Sequence, residues 1–308
     1  MSRKNFILIA LSLLIIIIAG CAKKDKVQDK ISIVVSLTPL QEFTEKIGGD
    51  KVSVSVMVPP GASPHSYEPT PDQLVNVGKA KMYVKVGSPV EFELTWLGKI
   101  ISTNRNMSVV DASDGIKLIK MEYEHDHEGE DHHEDVPKEH NAEEHGEGYD
   151  PHIWVSPKNA IIMLDNIYKA LISLDPKNEG YYTSNKEAYV KELKALDSEI
   201  QKALSGKKSR MFMVFHPAWG YFAKDYGLEQ IPIEEEGKEP TAKGIQNLID
   251  QAKEHNIKVI FASPQFSTKS AEVIAREIKG RVVLIDPLEK DYIANLRKLS
   301  QAFSEVME

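Results

Sequence analysis

From Ile31 onward, short apolar runs alternate with amphipathic stretches. Apolar runs at 31–36, 52–58, 82–86 and 108–110 predict strands, with helices near 39–47, 71–80 and 90–102. The same grammar returns later: strands at 211–215, 231–233, 258–262 and 282–285, with helices near 217–226, 241–255 and 267–279. Strands that alternate with helices predict βαβ units and parallel sheets, so the chain reads as two α/β lobes. Between them Pro157 can open a helix over 157–173, which Asp175-Pro176 interrupts. A second helix then runs to residue 204, with Tyr182, Tyr189, Leu193, Leu196, Ile200 and Leu204 on one face. At near 28 residues it would be about 42 Å long, a rigid strut between lobes or else an ordinary surface helix. The resulting division is 1–20, a leader; 21–30, a tether; 31–175, a first lobe; 176–205, the connecting helix; and 206–308, a second lobe.

The leader has its own pattern. Arg3 and Lys4 precede an apolar run from Phe6 to Ala19, which ends in Ile18-Ala19-Gly20-Cys21 and turns polar at Lys23-Lys24. The run is short for a finished membrane span, and its order of charge, apolar run and small residues reads as a secretory signal. Its ending resembles a bacterial lipobox, in which lipid is attached to the cysteine and cleavage precedes it. An uncleaved signal anchor with an incidental cysteine is the alternative. Cys21 is the sole cysteine, so no internal disulfide can form. Acylation there would hold the protein at a membrane surface.

Composition narrows the classes. The 308 residues are 42% hydrophobic and 27% charged, which excludes wholesale disorder, collagen and a multi-span membrane protein. Net charge is -8, without a basic tract, so nucleic acid is not an expected partner. Residues 1–20 hold two basic and no acidic side chains, which leaves -10 from Cys21 onward. Residues 122–150 hold 13 acidic residues, one lysine and six histidines, a charge of -12 that accounts for almost all the acidity. So polar a segment predicts a mobile loop. Its histidines, His125, His127, His132, His133, His140 and His145, could collect divalent cations weakly, or the segment could be a solvated acidic insert.

Of the other histidines, three have similar settings. His65 follows Pro64 in the loop after the strand at 52–58; His152 follows Asp150-Pro151; His216 follows the strand at 211–215 and precedes Pro217. Asp286, between Ile285 and Pro287, repeats the strand-end placement with a carboxylate. Ligands collect beyond the carboxyl ends of parallel strands, and a neighbouring proline limits the entropy a loop loses when it orders around a metal. Three imidazoles and a carboxylate suit four-coordinate Zn²⁺. Each residue also has an ordinary reading: a hydrogen-bonded loop histidine, or an aspartate capping a turn. Trp154 and Trp219 read as packing residues, and His255, at a helix end, takes no functional role.

These segments, together with Glu239-Pro240-Thr241 and Leu284-Ile285-Asp286-Pro287-Leu288, resemble the zinc/manganese substrate-binding lipoproteins of bacterial ABC transporters, the ZnuA-like group. The match extends over nearly all of the chain after the leader. The resemblance implies two pseudo-symmetric Rossmann-like lobes joined by a long rigid helix, with metal buried between them. It implies ligands at positions matching His65, His152, His216 and, in many members, Asp286. Members differ in whether the fourth ligand is that aspartate, another carboxylate or water. Histidine at the third position accompanies zinc members, and glutamate manganese members, so His216 favours zinc. Ser263 departs from the glutamate that many relatives carry there. The implied function is capture of Zn²⁺, or of Mn²⁺ as the alternative, outside the cytoplasm and its delivery to a membrane permease. A monomer anchored through acylated Cys21 is expected.

Two other classes compete. A secreted zinc hydrolase would need a base near an open metal position, for which Glu68 or Glu234–Glu236 could be named. The chain contains no H-E-x-x-H, H-x-x-E-H or G-x-S-x-G motif. A surface adhesin or passive metal buffer leaves no readable mark.

Overall fold

The computed structural model describes residues 30–121, 148–235 and 237–306. The leader, Cys21, most of the tether, the six histidines of the acidic segment and Glu236 therefore lie outside the described residues. From Ile31 the chain forms one unit containing two sheets.

In the first lobe, β1 (Ile31–Val35), β2 (Val52–Val56), β3 (Met82–Lys85) and β4 (Ser108–Asp111) pair in parallel in the order β2-β1-β3-β4. Helices α1 (Thr38–Gly48), α2 (Pro71–Lys79) and α3 (Glu91–Thr103) make the crossovers. In the second lobe β5 (Met211–Val214), β6 (Glu229–Pro232), β7 (Val259–Ala262) and β8 (Arg281–Leu284) repeat that order as β6-β5-β7-β8, also parallel. Their connections are α6 (Gly220–Tyr226), α7 (Ala242–Glu254) and α8 (Lys269–Glu277). The central strands are apolar on both faces because helices cover both: Val259, Ile260, Phe261 and Ala262 of β7 are all buried.

Between the lobes, α4 (Pro157–Leu174) starts with proline in its first turn and is capped by Ser156, whose hydroxyl accepts from the Asn159 N–H. A 3-10 turn at Pro176–Asn178 separates it from α5 (Glu179–Leu204), 26 residues and about 39 Å long. Tyr182, Tyr189, Leu193, Leu196, Ile200 and Leu204 are its buried face, the stripe that the sequence predicts. The face packs on α4, on α1 of the first lobe and on a closing helix, α9 (Tyr292–Val306), that the periodicity reading does not include.

One hydrophobic cluster runs through both lobes, from Leu40 and Phe43 through Tyr189 and Leu193 to Phe212, Phe261 and Phe303. Glu42 of α1 fastens the same junction. It is only 6% exposed, and its two oxygens accept the Tyr189 hydroxyl and the Tyr292 N–H, each at 2.7 Å. Burial pushes its carboxyl above the usual range, and these two hydrogen bonds oppose that shift. Glu42→Ala leaves the buried Tyr189 hydroxyl without an acceptor, whereas the Tyr292 N–H keeps the Lys290 carbonyl at 2.8 Å, and is expected to cost about 2 kcal/mol of stability. Glu42→Gln, which keeps an acceptor, should cost less. Denaturant unfolding measures both, and an unchanged midpoint for Glu42→Ala would sink the assignment.

Candidate metal centre

Each histidine arrives on a different support. His65 lies in the loop between β2 and α2, nine residues beyond the last residue of β2. Gln73 spans the base of that loop: its amide nitrogen donates to the Met57 and Val56 carbonyls at 2.5 and 3.2 Å, and its amide oxygen accepts the Tyr67 hydroxyl at 2.9 Å. Among the described residues, His152 follows an isolated bridge and no strand of its own. An isolated bridge between Lys120 and Tyr149 leads into its segment, and a 3-10 turn at Ile153–Val155 follows it. The segment is tied down by Ser88, whose hydroxyl donates to the Pro151 carbonyl at 2.5 Å, and by Tyr221, whose hydroxyl donates to the Asp150 carbonyl at 3.1 Å. Only His216 stands at a strand tip, two residues past β5.

These supports bring the three rings together. The Nε2 of His216 is 3.2 Å from the Nε2 of His65 and 3.2 Å from that of His152, and the ligand atoms of all three lie within 4.8 Å of one another. Four ligands about 2.0–2.1 Å from a tetrahedral Zn²⁺ stand about 3.3 Å apart, so both short edges match. Each Nδ1 faces a carboxylate: His65 with Glu91 at 2.9 Å, His152 with Asp150 at 2.8 Å and His216 with Glu234 at 2.8 Å. A carboxylate only accepts, so it fixes the proton on Nδ1 and leaves the Nε2 lone pair pointing inward. Three lone pairs this close repel one another unless a cation stands among them.

Burial grades across the site. The side chains of His152 and Asp150 are 6% and 5% exposed, whereas those of His65 and Glu91 are 28% and 48% exposed. His152 takes further support from Asp150, which also accepts its backbone N–H at 2.8 Å. Gly220 makes room for that carboxylate, since a Cβ there would fall 2.2 Å from Asp150 Oδ2. Burial, together with the repulsion of His152 and His65, holds the His216 imidazole below its ordinary pKa, although its bond to Glu234 opposes this. The carboxyl of Glu91 is drawn below its usual range by His65, against the desolvation that would raise it. Phe266 stacks on His216 with ring centres 4.7 Å apart, and Trp154 meets His152 edge-on at 5.4 Å. Trp154 is thus a packing residue that also walls the site.

Asp286 is not among the converging atoms. Its Oδ1 instead accepts from the Gln265 side-chain amide at 2.7 Å and from the Leu288 N–H at 2.8 Å. Ser263 is buried, and its hydroxyl has no hydrogen-bond partner among the described residues. Glu68 is exposed, and Glu234 is committed to His216. The sequence reading did not assign Glu91, Asp150 or Glu234 to the histidines. A cavity of about 860 Å³ between α4 and α5 is elsewhere, with Lys169, Lys186, Lys191 and Lys194 among its lining and none of the three histidines. Lys169 and Lys186 both pair there with Asp165, at 2.8 and 3.0 Å.

Known proteins resemble this chain in sequence and fold. Residues 33–306 match the family described as zinc-uptake complex component A, periplasmic (ZnuA). The high-affinity zinc uptake system protein ZnuA of Bacillus subtilis is 33% identical over 287 residues, covering 89% of this chain and 85% of that protein. The zinc-binding protein AdcA of Streptococcus pyogenes is 31% identical over 317 residues, covering 96% of this chain but 60% of its own length. The chain thus spans about three fifths of the length of that relative. A crystal structure of ZnuA superposes with a TM-score of 0.80 at 42% identity, covering 91% of this chain and all of that one. With matched sequence from residue 33 to 306 and a matching two-lobe fold, this chain belongs to the ZnuA family of periplasmic zinc-uptake components.

Proposed function

We propose that this protein binds Zn²⁺ outside the cytoplasm and hands it to an ABC-type permease for import. In this reading the cargo is held by His65, His152 and His216. The observation that carries it is the convergence of three Nε2 atoms, each on an imidazole whose Nδ1 is tied to a carboxylate. An all-imidazole set favours zinc over the harder, oxygen-preferring Mn²⁺. The names of the relatives, a high-affinity zinc uptake protein and a zinc-binding protein, point the same way. The family role is substrate binding for transport, and the commitment of Glu234 to His216 speaks against its use as a hydrolytic base.

The chain acts as a monomer held at the membrane by lipid on Cys21, a reading supported by the leader pattern Ile18-Ala19-Gly20-Cys21. Among the described residues no helix is long and apolar enough to cross a membrane. A core common to both lobes and a long helix packed on each resist wide hinge opening, so release proceeds through small loop movements around the site. The acidic segment adds weaker sites through its six histidines.

Competitive titration tests this directly. One tight zinc equivalent is expected, retained against a large excess of manganese, with weaker equivalents that vanish when residues 124–148 are deleted. Displacement of zinc by manganese, or loss of the tight site on deletion of the segment, would overturn the reading.

A further inference from the structure

An acidic residue in the first turn of a helix ordinarily sits in solvent and answers the helix dipole. Glu93, in the first turn of α3, is instead only 5% exposed. Its two oxygens reach back to the end of β3, where they accept the Val86 N–H at 2.6 Å and the Gly87 N–H at 3.0 Å. The Ser36 hydroxyl, 2.9 Å from that of Tyr83, is a further polar partner. Burial raises the Glu93 carboxyl above its usual range, and these bonds oppose the shift. Both oxygens face donors, so the pocket fits a carboxylate; a glutamine there turns its NH2 group against a backbone N–H.

These bonds close the strand-to-helix turn at 86–93 on itself. Gly87 takes a φ of +88° within it, and a Cβ there would fall 1.9 Å from Asp111 Oδ1. Two residues of the same turn reach the metal centre. Ser88 donates to the Pro151 carbonyl, one residue before His152, and Glu91 meets the Nδ1 of His65 at 2.9 Å. Both imidazoles that the first lobe supplies are thus held from one turn. His152 has other supports in Asp150 and Tyr221, and the turn has its own bond from the Val90 N–H to the Ser88 carbonyl at 2.7 Å. Those act on one ligand, or fold the turn locally. The Glu93 carboxylate acts on the placement of the whole turn against β3.

We propose that Glu93 is a positioning residue for metal binding, a clamp on the β3–α3 turn that sets His65 and His152 together through Glu91 and Ser88. This rests on the reading of the three histidines as the zinc ligands. A working metal site holds its ligands within about 0.5 Å of the productive geometry, which requires support behind the ligands themselves. A turn loosened at its base shifts two of the three imidazoles at once. Its loss therefore costs affinity and coordination geometry, and not stability alone.

The test uses Glu93→Gln in the full chain, Ser88→Ala and the double variant. Asp175→Asn serves as control, the same change at a buried carboxylate of the α4–α5 junction that accepts from Asn178 and Tyr182. Chelator competition for the first zinc equivalent should show a loss of about tenfold in Glu93→Gln, and the visible spectrum of the first cobalt(II) equivalent should change. The double variant should lose clearly less than the product of the two single losses, because both changes release the same turn. Asp175→Asn should unfold earlier in denaturant and keep the wild-type zinc affinity and cobalt spectrum. Wild-type affinity and spectrum in Glu93→Gln would overturn the clamp, whatever the stability of that variant. So would losses that multiply in the double variant, or an equal loss of affinity in Asp175→Asn. If Glu93→Gln does not fold, Glu93→Asp, which keeps the charge on a shorter arm, is read in the same cycle by the same criteria. If His216→Ala keeps the first cobalt equivalent with its spectrum intact, the histidine reading itself fails, an outcome distinct from failure of the clamp alone.

Discussion

His216→Ala is expected to lower the affinity of the tight zinc site by about a thousandfold. Apparent binding free energies for structural zinc are about 10–16 kcal/mol, and an equal division over three or four ligands assigns about 4 kcal/mol to each. His216 is also the shared vertex of the cluster, since both 3.2 Å contacts involve its Nε2. Its loss leaves His65 and His152 without the atom that both approach. Glu234→Gln should do much less, about 10- to 100-fold, because it removes the charge behind Nδ1 while the ring can still reach the metal. Chelator competition on the form lacking residues 124–148 separates these effects from the weaker sites. Equal losses for the two variants would mean that Glu234 supports the fold rather than the ligand, and unchanged affinity in His216→Ala would remove the site.

The parts of this site differ in how plainly the chain announces them. His65, His152 and His216 are legible because each sits beside a proline between recognisable elements, and because the segments that carry them resemble a known family. Their carboxylate partners are not. Glu91 is 26 residues from His65 and Glu234 is 18 from His216, so nothing in local spacing links them in a chain with 46 acidic residues. Asp150, two residues before His152, was within reach of the sequence, since Asp-Pro-His allows one carboxylate to meet both the backbone and the ring.

The fold shows the same division. The face of α5 repeats apolar residues with helical spacing and is read directly. The closing helix α9 buries Tyr292, Leu296, Leu299 and Phe303, whose spacing of three and four is helical, but it follows the turn at Asp286-Pro287 without a strand after it. It falls outside a strand-and-helix grammar for that reason. That the two lobes share a core is a property of long-range packing, carried by contacts such as Phe43 with Tyr292, 5.1 Å between ring centres, and Phe212 with Phe303 at 4.6 Å. The restriction this places on lobe movement follows from those contacts and not from the presence of a long helix alone.

Acid should empty the tight site steeply. Each Nε2 must be unprotonated to bind, so protons compete with the metal ion for the ligand atoms and affinity falls as pH falls. Burial and the neighbouring imidazoles keep His216 neutral below its ordinary range. The same depression has a consequence for the metal-free fold. Between the folded pKa of His216 and about 6.5 the unfolded chain holds more protons than the folded one, so stability rises with pH across that window and is lost as pH falls through it. Zinc adds its own stabilisation above the window, where binding is intact. Melting temperatures of the form lacking residues 124–148, with and without zinc, should therefore converge as pH drops from neutrality to about 5. A zinc-induced increment that stays constant over that range would show that protons do not compete for the ligand atoms. The three Nε2 positions would then not be where the metal sits.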